Sequence, residues 1–452
     1  MVRLINCVLI ERLFEVIFMF KSSEIIGKAE KYLITSMVKR VEPVVVSEAS
    51  GALIRDVDGR EYIDCFAGIS VVNLGHCHPE VVEAAFSQAR KLVHACTYVY
   101  YIPVVAELAE RLAQLVPIAP PGPLKTFFGN SGAEANECAL KLARKFTKKY
   151  EFIALMCSFH GRTLGTLSVT GQSGRRRYDM GPYLPGVSFA FPPYCYRCPF
   201  GKTYPNCDLL CARSIRDVIE YSTSKGVAAF IAEPVLGEGG IIPAPPEYFK
   251  IVKEILDEYG ILLIIDEVQT GFGRTGKLFA IEHYGVKPDI VTMAKGIADG
   301  FPISACTVRG DIGEAFEPGD HLSTFGGNPV SAAAALANIN VMLRERISEK
   351  AAVKGEYFMK RLNELKERYR IIGDVRGRGL MIGVELVRDQ VKKTPAVDEA
   401  GRVRDLCRDG GLLIGSGGVK GNVLRIQPPL VITMEQIDKA LNILESAIRE
   451  VC

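Results

Sequence analysis

Between residues 125 and 268 the chain repeatedly sets a short, unbroken apolar run beside a stretch of helical character. KTFFG (125–129), FIALMC (152–157), VAAFIAEPV (227–235) and ILLIIDEV (261–268) are such runs. A strand with one wet face alternates apolar and polar residues, whereas a strand covered on both faces reads as a continuous run. The four runs are therefore predicted as buried strands, and AEANECALKLARKF (133–146) as the helix after the first. Strand and helix alternate in this manner from about residue 76 to 335, the pattern of an α/β layer around a mostly parallel sheet.

Past residue 336 the pattern changes. IIGDVRGRGLMIGVELV (371–387) and NVLRIQPPLVI (422–432) suggest a smaller α+β unit. It closes with a helix opened by a capping box from Thr433 to Gln436, with Ile437, Leu441, Leu444, Ile448 and Val451 on its apolar face. The stretch up to 75, containing GALIRDVDGREYIDCFAG, is expected to pack on this unit. Three segments result: 1–75 belonging with the small unit, 76–335 as a large domain, and 336–452 as a small C-terminal domain. There is no low-complexity segment and no evident repeat.

Composition narrows the function classes. A 452-residue chain with 48% hydrophobic and 24% charged residues is that of an ordinary globular protein with room for two domains. A net charge of +3 gives no footing for a nucleic acid or an anionic membrane surface as partner. The opening MVRLINCVLIERLFEVIFMF is apolar, but Arg3, Glu11, Arg12 and Glu15 interrupt it. It is neither a spanning helix of ~20 uncharged residues nor a signal peptide with a clean apolar run and cleavage site. An over-long gene start with Met19 as initiator is the preferred reading, and an amphipathic partner-binding helix the alternative. Of the 13 cysteines, several stand singly in apolar surroundings (Cys65, Cys138, Cys306), as buried free thiols of a reducing compartment, the cytoplasm, would.

Chemistry enters at PDIVTMAKGIADGFPISA (288–305), where Lys295 sits among Ile, Val, Met, Ala and Gly. A lysine there either snorkels to water from a strand end or is a desolvated amine serving as nucleophile toward a carbonyl. GFGRTGKL (271–278) matches most of a nucleoside-triphosphate loop through Gly271, Gly276 and Lys277, but Leu278 stands where a hydroxyl is needed. The loop also follows the acidic strand instead of preceding it. GSGGVKG (415–421) lacks the spacing of a dinucleotide turn. FFGNSGAEAN (127–136) is better: Gly129, Ser131 and Gly132 stand between a strand and a helix, where free amides and the helix dipole hold an anion. An ordinary capped turn reads the same. A phosphate site and a nucleophilic lysine are together what a phosphorylated aldehyde, pyridoxal phosphate, requires. Its third requirement is a carboxylate against the pyridine nitrogen, and Asp266 ends its strand 29 residues before Lys295. Singly, a strand-end aspartate is more often a cap.

IAEPVLGEGG, LLIIDEVQTGFGRTGKLFAIEHYGVKPDIVTMAKGIADGFPISA and STFGGNPVSAAAALA resemble the class III (ω-) aminotransferases of the fold-type I pyridoxal phosphate enzymes, from about residue 30 to the C-terminus. The resemblance implies an α/β fold with a large, mostly parallel sheet domain and a smaller α+β domain built from both termini. It implies that Lys295 binds the cofactor and later moves a proton, and that Asp266 pairs with the pyridinium. Val268 would pack on the ring, Gln269 approach its phenolic oxygen, and Phe159 stack on its outer face. Ser131, Gly132 and Ala133 would cradle the phosphate, and Thr324 would reach the phosphate of a neighbouring subunit in a homodimer or higher homo-oligomer.

Within the family the nearest likeness is to 4-aminobutyrate aminotransferases. This implies that Arg162 in HGRT holds a distal carboxylate and that Arg425 in LRIQPPL binds the α-carboxylate of glutamate. Glu233 in AEPV would pair with Arg425 when the substrate lacks that carboxylate; apart from the family, the two read equally as a structural ion pair. Ile69 also fits this type, where ornithine aminotransferases tend to carry tyrosine. His76 and His78 flank Cys77, and this is read as the family's turn and helix start in preference to a metal site. The expected reaction moves an amino group from 4-aminobutyrate or a similar ω-amino acid to 2-oxoglutarate by a ping-pong cycle. An amino-acid racemase of the same family and an ornithine or acetylornithine aminotransferase are the alternatives, and a non-catalytic scaffold of the same fold a third. Cys195, Cys198, Cys207 and Cys211 form C-x2-C-x8-C-x3-C, a spacing that suits a structural zinc, with disulfides competing. The family likeness adds an iron–sulfur centre to these options. In each case the role expected is structural.

Overall fold

The computed structural model describes residues 22–34 and 42–452. The opening segment through Met19 lies outside the described residues. Seven strands form one sheet, in the order Lys125–Gly129, Ser304–Val308, Ile290–Met293, Leu262–Asp266, Val227–Ala232, Glu151–Leu155 and Val187–Ala190. Only Ser304–Val308 runs against the others. The helix Gly132–Thr147 covers one face, packing Ala135, Cys138, Ala139 and Leu142 on Phe152, Ala154, Ile231, Ile264 and Cys306. The alternate residues Ile153, Leu155, Phe230, Leu263, Ile265 and Val291 face the larger core, which contains the helix Tyr248–Tyr259 through Phe249, Val252 and Leu256. The five central strands are buried on both faces, which is why they read as unbroken apolar runs, whereas the edge strands Lys125–Gly129 and Val187–Ala190 are partly exposed, so KTFFG is an edge strand and not the buried one expected.

An eight-stranded sheet joins the two ends of the described chain. Val46–Ser50, Leu53–Asp56 and Glu61–Cys65 run antiparallel in sequence, and Glu61–Cys65 then pairs in parallel with Leu412–Gly417. Beyond it lie Val423–Ile426, Met381–Asp389 and Ile372–Arg378, with Thr394–Pro395 on Met381–Asp389. The closing helix Met434–Val451 begins at Thr433, whose hydroxyl accepts from the Gln436 amide at 3.2 Å while Gln436 Oε1 accepts from the Thr433 amide at 2.9 Å. Among the described residues no helix is long and apolar enough to cross a membrane.

Another strand departs from its sequence expectation. The run 227–235 stops at Ala232 because Pro234 cannot donate to a ladder. The chain resumes as a two-residue strand, Val235–Leu236, paired with Ile242–Pro243. The turn between them, 237–241, carries Glu238 and bears on the site below.

Candidate active site

The carboxyl ends of the parallel strands lie along one edge of the sheet, the edge where α/β folds place ligands. Register sets Asp266 beside Thr292, three residues before Lys295, and Ile265 beside Ala232, so Glu233 leaves its strand at the same level. Lys295 opens a short turn, Lys295–Ile297, at a left-handed φ of 47°. Such a backbone needs outside support, and Asn338 Nδ2 donates to the carbonyls of Gly296 and Ile297 at 2.9 Å each. Burial lowers the Lys295 pKa against the opposing pull of Glu238, Asp266 and Glu233. The result is an amine that releases its proton more readily than a solvated one, as a nucleophile must.

Asp266 is 3% exposed and held from three directions. Its Oδ2 accepts from Asn136 Nδ2 at 2.8 Å and lies 2.8 Å from His160 Nδ1, while Oδ1 accepts from the Val268 amide at 3.0 Å. Asn136 is in turn fixed by Thr292, whose hydroxyl donates to its Oδ1 at 2.6 Å. Asn136, His160 and Thr292 were not among the expected residues. The position of Asn136 one helical turn past Gly132, and of His160 beside Phe159, were the available signals.

The anion cradle is a helix start. Ser131 caps Gly132–Thr147, its hydroxyl accepting from the Glu134 amide at 3.3 Å, and Glu134 reaches back to the Asn130 and Ser131 amides. That leaves the Gly132 and Ala133 amides as first-turn donors with no helical acceptor. A Cβ on Gly132 would lie 2.7 Å from Val268 Cγ1, so glycine is what lets the helix head close on Val268. His160 Nε2, Gln269 Nε2 and Arg425 Nε are buried without a hydrogen-bond partner among the described residues. A first-turn anion cradle, a desolvated lysine, an anchored carboxylate and spare buried donors fit pyridoxal phosphate.

The arginine pairing differs from the expectation. Glu233 does not meet Arg425: its Oε1 accepts from the Phe159 amide and its Oε2 from the Gly237 amide, both at 2.9 Å. Burial, with Asp266 adding to it, pushes its carboxyl up to about 7. Arg425 bonds instead to Glu238, on the turn 237–241 between the two short strands. Burial alone would raise the Glu238 carboxyl, but Arg425, then Lys295 and Arg176, outweigh it and hold it at about 2. The Arg425 guanidinium lies 5.4 Å from the Phe66 ring centre. A Cβ on Gly417 would crowd Arg425 at 3.0 Å, and one on Gly415 would strike Phe66. The glycines of GSGGVKG thus make room for this stacked pair.

Arg162 and Arg176 stand over the Phe159 ring at 5.4 and 5.8 Å. Ile69, at φ 71°, is 38% exposed in a left-handed turn. Thr324 is exposed, next to Ser323, whose hydroxyl accepts from Asn130 Nδ2 at 3.2 Å. Cys195, Cys198, Cys207 and Cys211 are free thiols that line one small cavity. The metal expected from their spacing is not supported: no group of three or more His, Cys, Asp or Glu among the described residues is placed to hold an ion. Their loop is braced otherwise, by Arg197 Nε on Glu385 at 2.6 Å and Lys393 Nζ on the Tyr196 carbonyl at 2.6 Å.

Residues 35–448 match the aminotransferase class-III family. A leucine/methionine racemase of Thermococcus litoralis is 45% identical over 411 residues, covering 90% of this chain and 91% of the relative. An acetylornithine aminotransferase of Methanosarcina mazei is 45% identical over 425 residues, covering 94% and 96%. Among solved structures, a Bacillus anthracis aminotransferase superposes with a TM-score of 0.88 at 36% identity, covering 95% and 98%. The architecture is accordingly that of a fold-type I pyridoxal phosphate enzyme.

Proposed function

The chain belongs to the class-III aminotransferases, and on that premise we propose that it moves the ω-amino group of a basic amino acid, N-acetylornithine or ornithine, to 2-oxoglutarate. The 4-aminobutyrate expectation gives way here, because the relatives described above are named for acetylornithine and for leucine and methionine. Pyridoxal phosphate, bound by this family, supplies an electron sink for the carbon that bears the amine. Lys295 would bind the cofactor's aldehyde carbon and afterwards move a proton at the substrate carbon. Asp266, anchored by Asn136, His160 and the Val268 amide, would keep the pyridine nitrogen protonated. The Gly132 and Ala133 amides, with Ser131, would hold the phosphate. Phe159, Val268 and Gln269 would enclose the ring, and Thr324 would serve the site of a second copy in a homodimer.

The ion pair of Arg425 with Glu238 carries the reading. A guanidinium clamp for a carboxylate suits 2-oxoglutarate and glutamate. An ω-amine brings no carboxylate to that point, and Glu238 then keeps the buried guanidinium paired. Two unlike substrates in turn at one site give this exchange a use, which a racemase acting on one α-amino acid lacks. Racemisation remains the second reading, favoured by the Thermococcus litoralis relative.

The test is a half-reaction. Cofactor-loaded protein is mixed separately with N-acetylornithine, ornithine and 4-aminobutyrate, with no oxo acid, while the cofactor's absorption and the product semialdehyde are followed. Conversion to the amine form with one of the first two supports the proposal. No conversion, together with inversion of L-leucine or L-methionine on a chiral column, replaces it with racemisation.

A further inference from the structure

The Glu238 carboxylate is shared between two arginines. Its Oε1 is bonded to Arg425 Nη1, while its Oε2 lies 3.0 Å from Arg176 Nη2. The side chains of Glu238, Arg425 and Arg176 are 12%, 5% and 23% exposed. Arg425 comes from the strand Val423–Ile426 of the eight-stranded sheet, and Arg176 from the turn Ser173–Arg177 beside the seven-stranded one. Glu238 itself stands on a turn rich in glycine, between Gly237 and Gly239–Gly240, with Gly240 at φ 125°.

We propose that Arg176 is a positioning residue for carboxylate exchange: it retains Glu238 when a substrate carboxylate takes Arg425. This rests on the reading of Arg425 as the carboxylate clamp. Releasing a buried carboxylate from a sole partner leaves an uncompensated charge, which is strongly unfavourable. With Oε2 already on Arg176, Glu238 gives up one ion pair and keeps the other, turning about the retained contact. The Arg425 guanidinium is then free to make a two-point contact with the incoming carboxylate. Arg176 in this scheme never touches the substrate; it sets how readily Arg425 becomes available. The glycines flanking Glu238 are there for close packing, since a Cβ on Gly237 would strike Gln269 Oε1 and one on Gly239 would lie 2.6 Å from the Cys157 carbonyl, so the backbone stays in place and the exchange is a rotation of the Glu238 side chain.

The prediction separates this from a direct contact. Glutarate, a dicarboxylate that cannot react, is titrated into cofactor-loaded protein and followed by the change in cofactor absorption. Arg176→Gln should weaken glutarate about tenfold, the order expected for one partly buried charge contact, and Arg176→Lys should recover most of it. In a Glu238→Gln background there is no carboxylate to retain, so adding Arg176→Gln should change nothing. In turnover, the Arg176→Gln loss should appear in half-saturation by 2-oxoglutarate more than in the limiting rate. An equal weakening in both backgrounds, or an unchanged affinity in the single variant, overturns the proposal. The titration does not depend on turnover. If no amine converts the cofactor while the glutarate pattern holds, the aminotransferase reading falls and the role of Arg176 stands.

Discussion

The two halves of the candidate site are built by different means. Lys295, Asp266 and the head of helix Gly132–Thr147 stand on ends of strands of one sheet, or directly after them, with the strands before Lys295 and ending at Asp266 side by side. Their relative positions follow from ladder register, and no long loop intervenes. Arg425, Glu238, Arg176 and Arg162 come instead from a second sheet, a two-residue hairpin, a short turn and a loop. Arg425 and Glu238 are 187 residues apart, and Glu233, five residues before Glu238, meets backbone amides instead of the arginine. A site on strand ends is specified by local sequence, whereas a site on turns is specified by the meeting of distant ones.

Substitutions in the first half should be the more severe. Lys295→Ala removes the proposed nucleophile and proton carrier, and its half-reaction rate should fall on the order of 10⁴-fold. The protein should still fold, by circular dichroism, because the turn is held by Asn338 and not by the lysine head group. Asp266→Asn keeps the shape but removes the charge and reorders the bonds to Asn136 and His160. A loss of about 10²- to 10³-fold is expected, the range for a fixed electrostatic group. An Asp266→Asn enzyme within tenfold of wild type would remove the pyridinium role from this residue and weaken the contrast between halves.

In the second half Arg425→Gln should raise half-saturation by 2-oxoglutarate about 10²-fold, the cost of one buried charged hydrogen-bonding partner. The amine half-reaction should change far less. Equal losses in both would show that Arg425 braces the fold instead of selecting the substrate.

Legibility follows the same division. Lys295, Asp266 and the Ser131–Gly132 turn could be found from apolar runs and their terminal residues, which mark strand ends plainly. The four cysteines were found by spacing, yet spacing says nothing of side-chain direction, and the loop is braced by Arg197 and Lys393. Glu238 was within reach, five residues past Glu233 in IAEPVLGEGG, but the choice needed Glu233 to be read as bonded to backbone amides. Arg176, in a run of three arginines, has no pattern that marks one above its neighbours.

Glu233 offers the smallest and most discriminating test, because the sequence assigns it to the second half and the structure ties it to the first. It braces Phe159 and Gly237 through their amides and feels the charge of Asp266. Its carboxyl is raised from 4.5 to about 7, so the folded chain holds that proton more tightly than the unfolded chain does. Unfolding therefore releases a proton between those two values, and the stability Glu233 contributes is complete below about 4.5 and is lost as pH rises through about 7. Glu233→Gln cannot titrate. In urea unfolding at pH 5 and pH 8, the wild type should lose roughly 1–3 kcal/mol relative to the variant across that interval. Since the carboxamide of Glu233→Gln would present one oxygen where two amides donate, the variant should be the less stable at pH 5, with the gap closing toward pH 8. A gap that stays constant between pH 5 and pH 8 instead would mean that the two amide bonds hold Glu233 ionised throughout. Glu233 would then be a fixed anion under the cofactor half, and its charge would have to be counted with that of Asp266 in setting the proton affinity of Lys295.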